Sequence, residues 1–183
     1  DLKRRDFTIN AMAYNQKDGL IDLYGGLADL NAKKLRAVGN AEQRFEEDAL
    51  RILRAIRFES TLGFSCDEET QMAIFENAGL LDGISKERIK AETDKMFLKG
   101  KKVEDTLLKY EKIFLTAIKS LKSLNGAKGI DNFKGEEKWA KLMLEEDIEK
   151  VAKELKFSNK LKDYCVLIKK YSKKEICNSL IDT

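Results

Sequence analysis

In EEDALRILRAIRFES, residues 46–60, apolar and polar positions separate at helical spacing. At about 100° per residue, Ala49, Ile52, Leu53 and Ile56 share one arc, and Glu47, Asp48, Arg51 and Arg54 share the other. The pattern predicts one continuous amphipathic helix, the strongest in the chain. Asn40 precedes it as an N-cap, with Glu42 and Gln43 in the first turn. Cys66 and Asp67 open a further helix to about Ala78, and Ser85 caps the next. Helical periodicity continues through 101–124, 136–156 and 158–181, and NGAKGIDNFKG (125–135) reads as the one linker.

The front of the chain is less regular. Residues 4–14 carry Phe7, Ile9, Ala11, Met12 and Ala13 at mixed spacing and predict a short helix. GLIDLYGG (19–26) predicts a strand closing in a glycine turn, Leu27–Asn31 one helical turn, and KKLRAVG (33–39) a second strand. Together the two strands predict a small β-ribbon. No strand is expected after Asn40, and no repeat or low-complexity segment is present. The expected fold is mainly α: the ribbon, then a helical neck and body.

Composition narrows the classes. The 183 residues are 43% apolar and 37% charged, enough for one or two domains with a real core and too charged for a membrane protein. Neither a spanning run nor a secretory leader is expected. Cys66, Cys165 and Cys177 are widely spaced and odd in number, which fits a reducing compartment, the cytoplasm, better than a disulfide framework. The chain has no histidine, which excludes His triads and His metal ligands from it, and no proline, which favours helix.

Net charge is only +3, but the two basic residue types are segregated. All eight arginines lie at positions 4, 5, 36, 44, 51, 54, 57 and 88, and every later basic residue is lysine. Arginine offers a planar fork of donors suited to phosphate and base edges, where lysine is a point charge.

Asp48 and Arg51 are three apart on the expected helix, one acceptor beside one donor set. Cytosine and adenine each present an amino donor beside a ring-nitrogen acceptor, whereas guanine and uracil present the reverse. An Asp/Arg pair facing that edge would accept C and A and reject G and U. On spacing alone an ordinary surface ion pair is the commoner reading.

RRDFTINAMAY, DLYGG, EDALRILRAIRF and ISKERIKAE occur in that order over residues 1 to about 98. The series resembles the class II tRNA nucleotidyltransferases, or CCA-adding enzymes, and their relatives the bacterial poly(A) polymerases. The resemblance implies that Arg5, Asp6 and Asn10 meet the ribose and phosphates of an incoming nucleotide. Asp22, Gly25 and Gly26 fall on a flexible element between head and neck. Asp48 and Arg51 become the base-reading template, with Glu47 and Arg54 holding or extending that face. Glu87, Arg88 and Glu92 support the template helix. The implied division is the end of the nucleotidyltransferase head (1–39), a helical neck that binds nucleotide and RNA (40–100), and part of a helical body (101–183).

In such enzymes a sheet domain with a glycine-rich signature and a D-x-D pair holding Mg²⁺ precedes RRDFTIN. This chain carries no D-x-D, so the expectation is a fragment that is inactive alone, with no catalytic or metal residue of its own. Its parent would transfer CMP and AMP from CTP and ATP to tRNA 3′ ends. Exposed core where that sheet would pack is expected to drive homodimerisation. Three alternatives stand: a poly(A) polymerase or a specialised CC- or A-adding enzyme, a non-catalytic helical RNA-binding module, and a helical adaptor. Lysines and carboxylates nearly balance in 131–183, 12 against 11, which favours a solvated face there over an RNA track.

Overall fold

The order of elements follows the expectation of a mainly helical chain with a small β portion. In the computed structural model, residues 1–179 are described, with side chains to Ser172. The expected last two residues of the final helix and the Cys177 side chain lie outside the described residues. The segment 4–14 is not a helix. It forms two 3₁₀ turns, Leu2–Arg4 and Thr8–Asn10, and then strand β1, Met12–Asn15. Phe7 between the turns is extended, because its backbone bridges Ala37 across the chain. A long-range pairing overrides a weak local preference here.

β1 pairs antiparallel with β2, Gly19–Asp22, in the register Met12↔Asp22 to Asn15↔Gly19. The ribbon therefore joins 12–15 to 19–22, not 19–26 to 33–39. Helix α1 follows at Gly26–Asn31. Strand β3 is only Lys34–Leu35, and it pairs in parallel with β4, Ser65–Cys66. Strand structure after Asn40 thus exists. Two residues paired with a segment about thirty positions away leave no periodicity to read.

Asn40 caps α2 (Ala41–Glu47) by accepting from the Gln43 amide at 2.9 Å. The helix expected over 46–60 is broken at Asp48, whose backbone is extended (φ −154°, ψ 98°). Its carboxylate accepts from the Leu50 amide at 3.2 Å, a local bond of the kind that competes with helix continuation. Helix α3 then runs Leu50–Leu62. The apolar arc survives the break: Ala49, Ile52, Leu53 and Ile56 are all buried.

Asp67, not Cys66, starts α4 (Glu68–Glu76), accepting from the Thr70 amide, and Ser85 caps α5 (Lys86–Lys99). α3 and α5 pack along their lengths, joined by the Arg57–Glu92 ion pair at 2.7 Å. The stretch 101–124 splits into α6 (Val103–Lys109) and α7 (Glu111–Ala117), with irregular backbone after Ala117. The expected linker is packed into the core. Gly126, Ala127 and Ile130 are buried in two 3₁₀ turns, and a Cβ on Gly126 would lie 2.6 Å from the Leu142 carbonyl. The 136–156 stretch also splits, into α8 (Glu137–Leu142) and α9 (Ile148–Glu154), and α10 begins at Asn159. One buried apolar cluster runs from Phe7 to Cys165. No helix among the described residues is long and apolar enough to cross a membrane.

Candidate functional site

The first ten residues lie across the start of α3. Asp6 is 8% exposed and sits at their centre. Its Oδ1 accepts from the Phe7 amide at 2.9 Å and from Asn10 Nδ2 at 3.0 Å. Its Oδ2 accepts from Arg54 Nε at 2.7 Å and is ion-paired with Nη2 at 2.6 Å. Burial alone would raise the Asp6 pKa. The bond from Asn10 and the Arg54 charge and hydrogen bonds outweigh it and hold the carboxyl below its ordinary value. Phe7 meets the Phe58 ring edge-on at 5.8 Å, and Arg57 stacks over that ring at 4.0 Å. Asp6, Asn10 and Arg54 are therefore brought together. Arg5 stays beside them with its side chain largely free, its contact being Asp1 at 3.8 Å.

Asp48 and Arg51 are not paired with each other. The break before α3 turns Asp48 toward α5, where Arg88 Nη2 donates to both its oxygens at 3.0 and 3.2 Å. Arg51 Nη1 donates to Glu47 Oε2 and to the Arg44 carbonyl, both at 2.9 Å, and its Nη2 donates to the Arg4 carbonyl at 3.1 Å. The expected i,i+3 surface pair is thus replaced by two separate sets of contacts. Glu47 is the carboxylate that pairs with Arg51. Arg88 and Glu92 contact the start and the middle of the α3 region, through Asp48 and Arg57. The Glu92 carboxyl lies below its usual range because bonds from Lys95 and Arg57 overcome its burial. Glu87 does not join them: it pairs with Lys156.

Asp22 caps α1, accepting from the amides of Gly26 at 2.8 Å and Leu27 at 2.9 Å. Those two bonds, Leu27's first, keep its carboxyl below the usual value. Gly25 is left-handed (φ +73°) and open to solvent. Gly26 has no such freedom: a Cβ there would lie 2.2 Å from the Thr8 carbonyl. These glycines pin α1 beneath the 3₁₀ turn at Thr8–Asn10.

Two features escaped sequence reasoning. Arg44 donates to the Lys3 carbonyl at 3.0 Å and pairs with Glu47. Buried Asp29 accepts from Thr8 Oγ1 at 2.7 Å and Arg36 Nε at 3.1 Å, and Arg36 reaches on to Asp67 at 3.0 Å. Arg36 and Arg44 are visible only as members of the arginine-rich half. Apart from Glu47, three residues from Arg44, their partners lie 7 to 41 residues away, where nothing local names them. The residues present do not fit a magnesium site. Asp6, Asp22, Asp29 and Asp48 are each taken up by arginines or backbone amides, and no metal-holding acidic cluster exists among the described residues.

Comparison with known proteins finds similarity over two parts of the chain. Residues 1–36 match the "Poly A polymerase head domain" model, and residues 63–114 match "Probable RNA and SrmB- binding site of polymerase A". Both matched models describe parts of poly(A) polymerases, and the chain is similar over these regions to CCA-adding enzymes. Its curated relatives include the CCA-adding enzyme of Latilactobacillus sakei, 59% identical over 96 residues, 52% of this chain and 24% of the relative. Its fold is similar to that of the Bacillus stearothermophilus CCA-adding enzyme in complex with CTP, at a TM-score of 0.74 and 33% identity, over 100% of this chain and 47% of that one. It is also similar to the Thermotoga maritima CCA-adding enzyme complexed with tRNA, at a TM-score of 0.71 and 25% identity, over 93% and 47%. The chain matches about a quarter of the length of the curated relatives.

Proposed function

We propose that this chain supplies the nucleotide-receiving and base-reading part of a cytoplasmic tRNA nucleotidyltransferase that adds CMP and AMP to tRNA 3′ ends. The observation that carries the reading is the seating of the RRDFTIN turn on α3, with Asp6 locked to Arg54 and the Arg4 carbonyl to Arg51. That contact brings Asp6 and Asn10 beside Arg51 and Arg54, which supports reading them as parts of one nucleotide site. The CTP- and tRNA-bound relatives support CTP, ATP and tRNA as ligands.

In this reading residues 1–39 complete a nucleotidyltransferase head, 40–100 form the neck that reads the base, and 101–183 continue into the body. Arg5 and Asn10 face phosphate and ribose hydroxyl, and Asp6 fixes Asn10 and Arg54 around them. Asp48 accepts the amino group of C or A, and Arg51 donates to the adjacent ring nitrogen. Both must first release their present partners, Arg88 for Asp48 and Glu47 with the Arg4 carbonyl for Arg51. Mg²⁺ supplies phosphoryl-transfer chemistry in this class. Among the described residues no group of acids is placed to hold it.

Titration calorimetry with all four nucleoside triphosphates tests the reading. CTP and ATP should bind at least about tenfold tighter than GTP and UTP, and Arg51→Ala should erase most of that preference. Equal binding of all four, or of none, overturns the proposal.

A further inference from the structure

Arg44 is a half-buried arginine beside the RRDFTIN turn, and it lies outside the quoted family motifs. Its side chain is 13% exposed, close to the 15% of Arg51. The two arginines grip consecutive carbonyls, Arg44 that of Lys3 at 3.0 Å and Arg51 that of Arg4 at 3.1 Å. Both pair with Glu47, Arg44 through Oε1 and Arg51 through Oε2. Arg5 and Asp6 follow directly on the gripped carbonyls.

The two grips are not equivalent. Arg51 reads the base in the function proposed above, and this inference rests on that reading. Its guanidinium then has to leave Glu47 and the Arg4 carbonyl. Each of those acceptors is left next to a group that Arg44 still holds. We propose that Arg44 is a positioning residue: the fixed anchor that keeps the Lys3–Asp6 segment seated, and Glu47 neutralised, while Arg51 swings to the nucleotide. A planar fork holds a carboxylate and a carbonyl at once in a fixed geometry; a lysine ammonium is a point charge on a flexible stem and would hold the same two acceptors less rigidly. A seated turn costs less ordering when nucleotide binds, so the anchor acts on affinity for any accepted nucleotide and leaves base choice alone.

The test compares Arg44→Ala, Arg44→Lys and wild type by CTP and ATP calorimetry, hydrogen exchange of the amides of residues 3–10, and Tm. We expect Arg44→Ala to weaken CTP and ATP by about tenfold each, with their ratio unchanged. Exchange at Arg5–Asn10 should rise while α5 is unaffected. Arg44→Lys should recover Tm without recovering affinity, and it decides the matter if Arg44→Ala does not fold. A changed CTP-to-ATP ratio, or a fall in Tm with affinity and exchange intact, overturns the anchor. Wild type binding neither nucleotide would sink the functional reading instead. The exchange data would still show whether Arg44 holds the turn.

Discussion

Residues 1–100 and the helices after them differ in how they use most of their buried carboxylates. In the first region, although Asp22 holds two amides of α1, several acids face arginines: Asp6 with Arg54, Asp48 with Arg88, Glu92 with Arg57, Asp29 and Asp67 with Arg36. In the second region acids hold loop backbone. Glu146 accepts from the Lys122 and Ser123 amides, Glu154 from Lys119 and Ser120, Asp131 from Val103 and Glu104, and Glu104 itself from Gly129. A carboxylate accepting two amides closes an irregular loop that has no ladder to satisfy it. An arginine–carboxylate pair can exchange its partner for a ligand's carboxylate-like or donor group. The segregation of arginine and lysine therefore has a structural meaning. In the proposed function, forks sit where partners are exchanged, and the other half is built to stay as it is.

Removing a loop-holding acid should show the largest effect. Glu146 is 3% exposed and serves two amides and the Ser123 hydroxyl at 3.0–3.1 Å. Glu146→Ala orphans both amides, at a cost of about 3 kcal/mol. Tm should fall by roughly 10 °C in a scan. CTP affinity of the folded fraction should not change; a loss of affinity with Tm intact would erase the contrast between the two regions.

An intermediate effect is expected at Asp6. Asp6→Asn keeps an acceptor for Asn10 and the Phe7 amide but leaves Arg54 without a charge partner, at about 2 kcal/mol. Unlike Glu146→Ala, it should also abolish measurable CTP binding. The pH dependence carries a definite sign. The folded Asp6 carboxyl lies below its ordinary value, so on acidification the unfolded chain takes up this proton first. The pair's contribution is thus complete at neutral pH and is lost as pH falls from about 5 through the folded value. Urea titrations at pH 7 and near pH 3 should show the gap between wild type and Asp6→Asn closing in acid. A gap that widens there would contradict the assignment.

How much of this could be read beforehand follows from the range of each interaction. Asn40, Asp67 and Ser85 were legible as helix starts because a cap acts within three residues. The apolar arc of α3 was legible because burial imposes its period. The break at Asp48 was not, since an aspartate that caps the next helix leaves the hydrophobic phase almost undisturbed. The segment 125–135 misled for a related reason. Its glycines look like a linker's, yet Gly126 is small so that the chain can lie on the Leu142 backbone. Within the site, Asp6 and Asn10 are four apart and readable as neighbours. Arg54 as their partner, 48 residues from Asp6, came only with the fold.

The smallest effect separates holding a group from using it. Arg88 and Asp48 are 50% and 34% exposed, so breaking their pair with Arg88→Ala should cost under about 1 kcal/mol. The Asp48 carboxylate would not swing free, because its Oδ1 still accepts from the Leu50 amide. What disappears is a competitor for the oxygens that are to receive a base amino group. CTP should then bind about twofold tighter, an effect that fades as salt screens the competing charge. Calorimetry at low and high ionic strength reads both quantities. Weaker CTP binding in Arg88→Ala would mean that Arg88 orients Asp48 rather than occupying it. The capping bond from Leu50 would then be insufficient to present the carboxylate by itself.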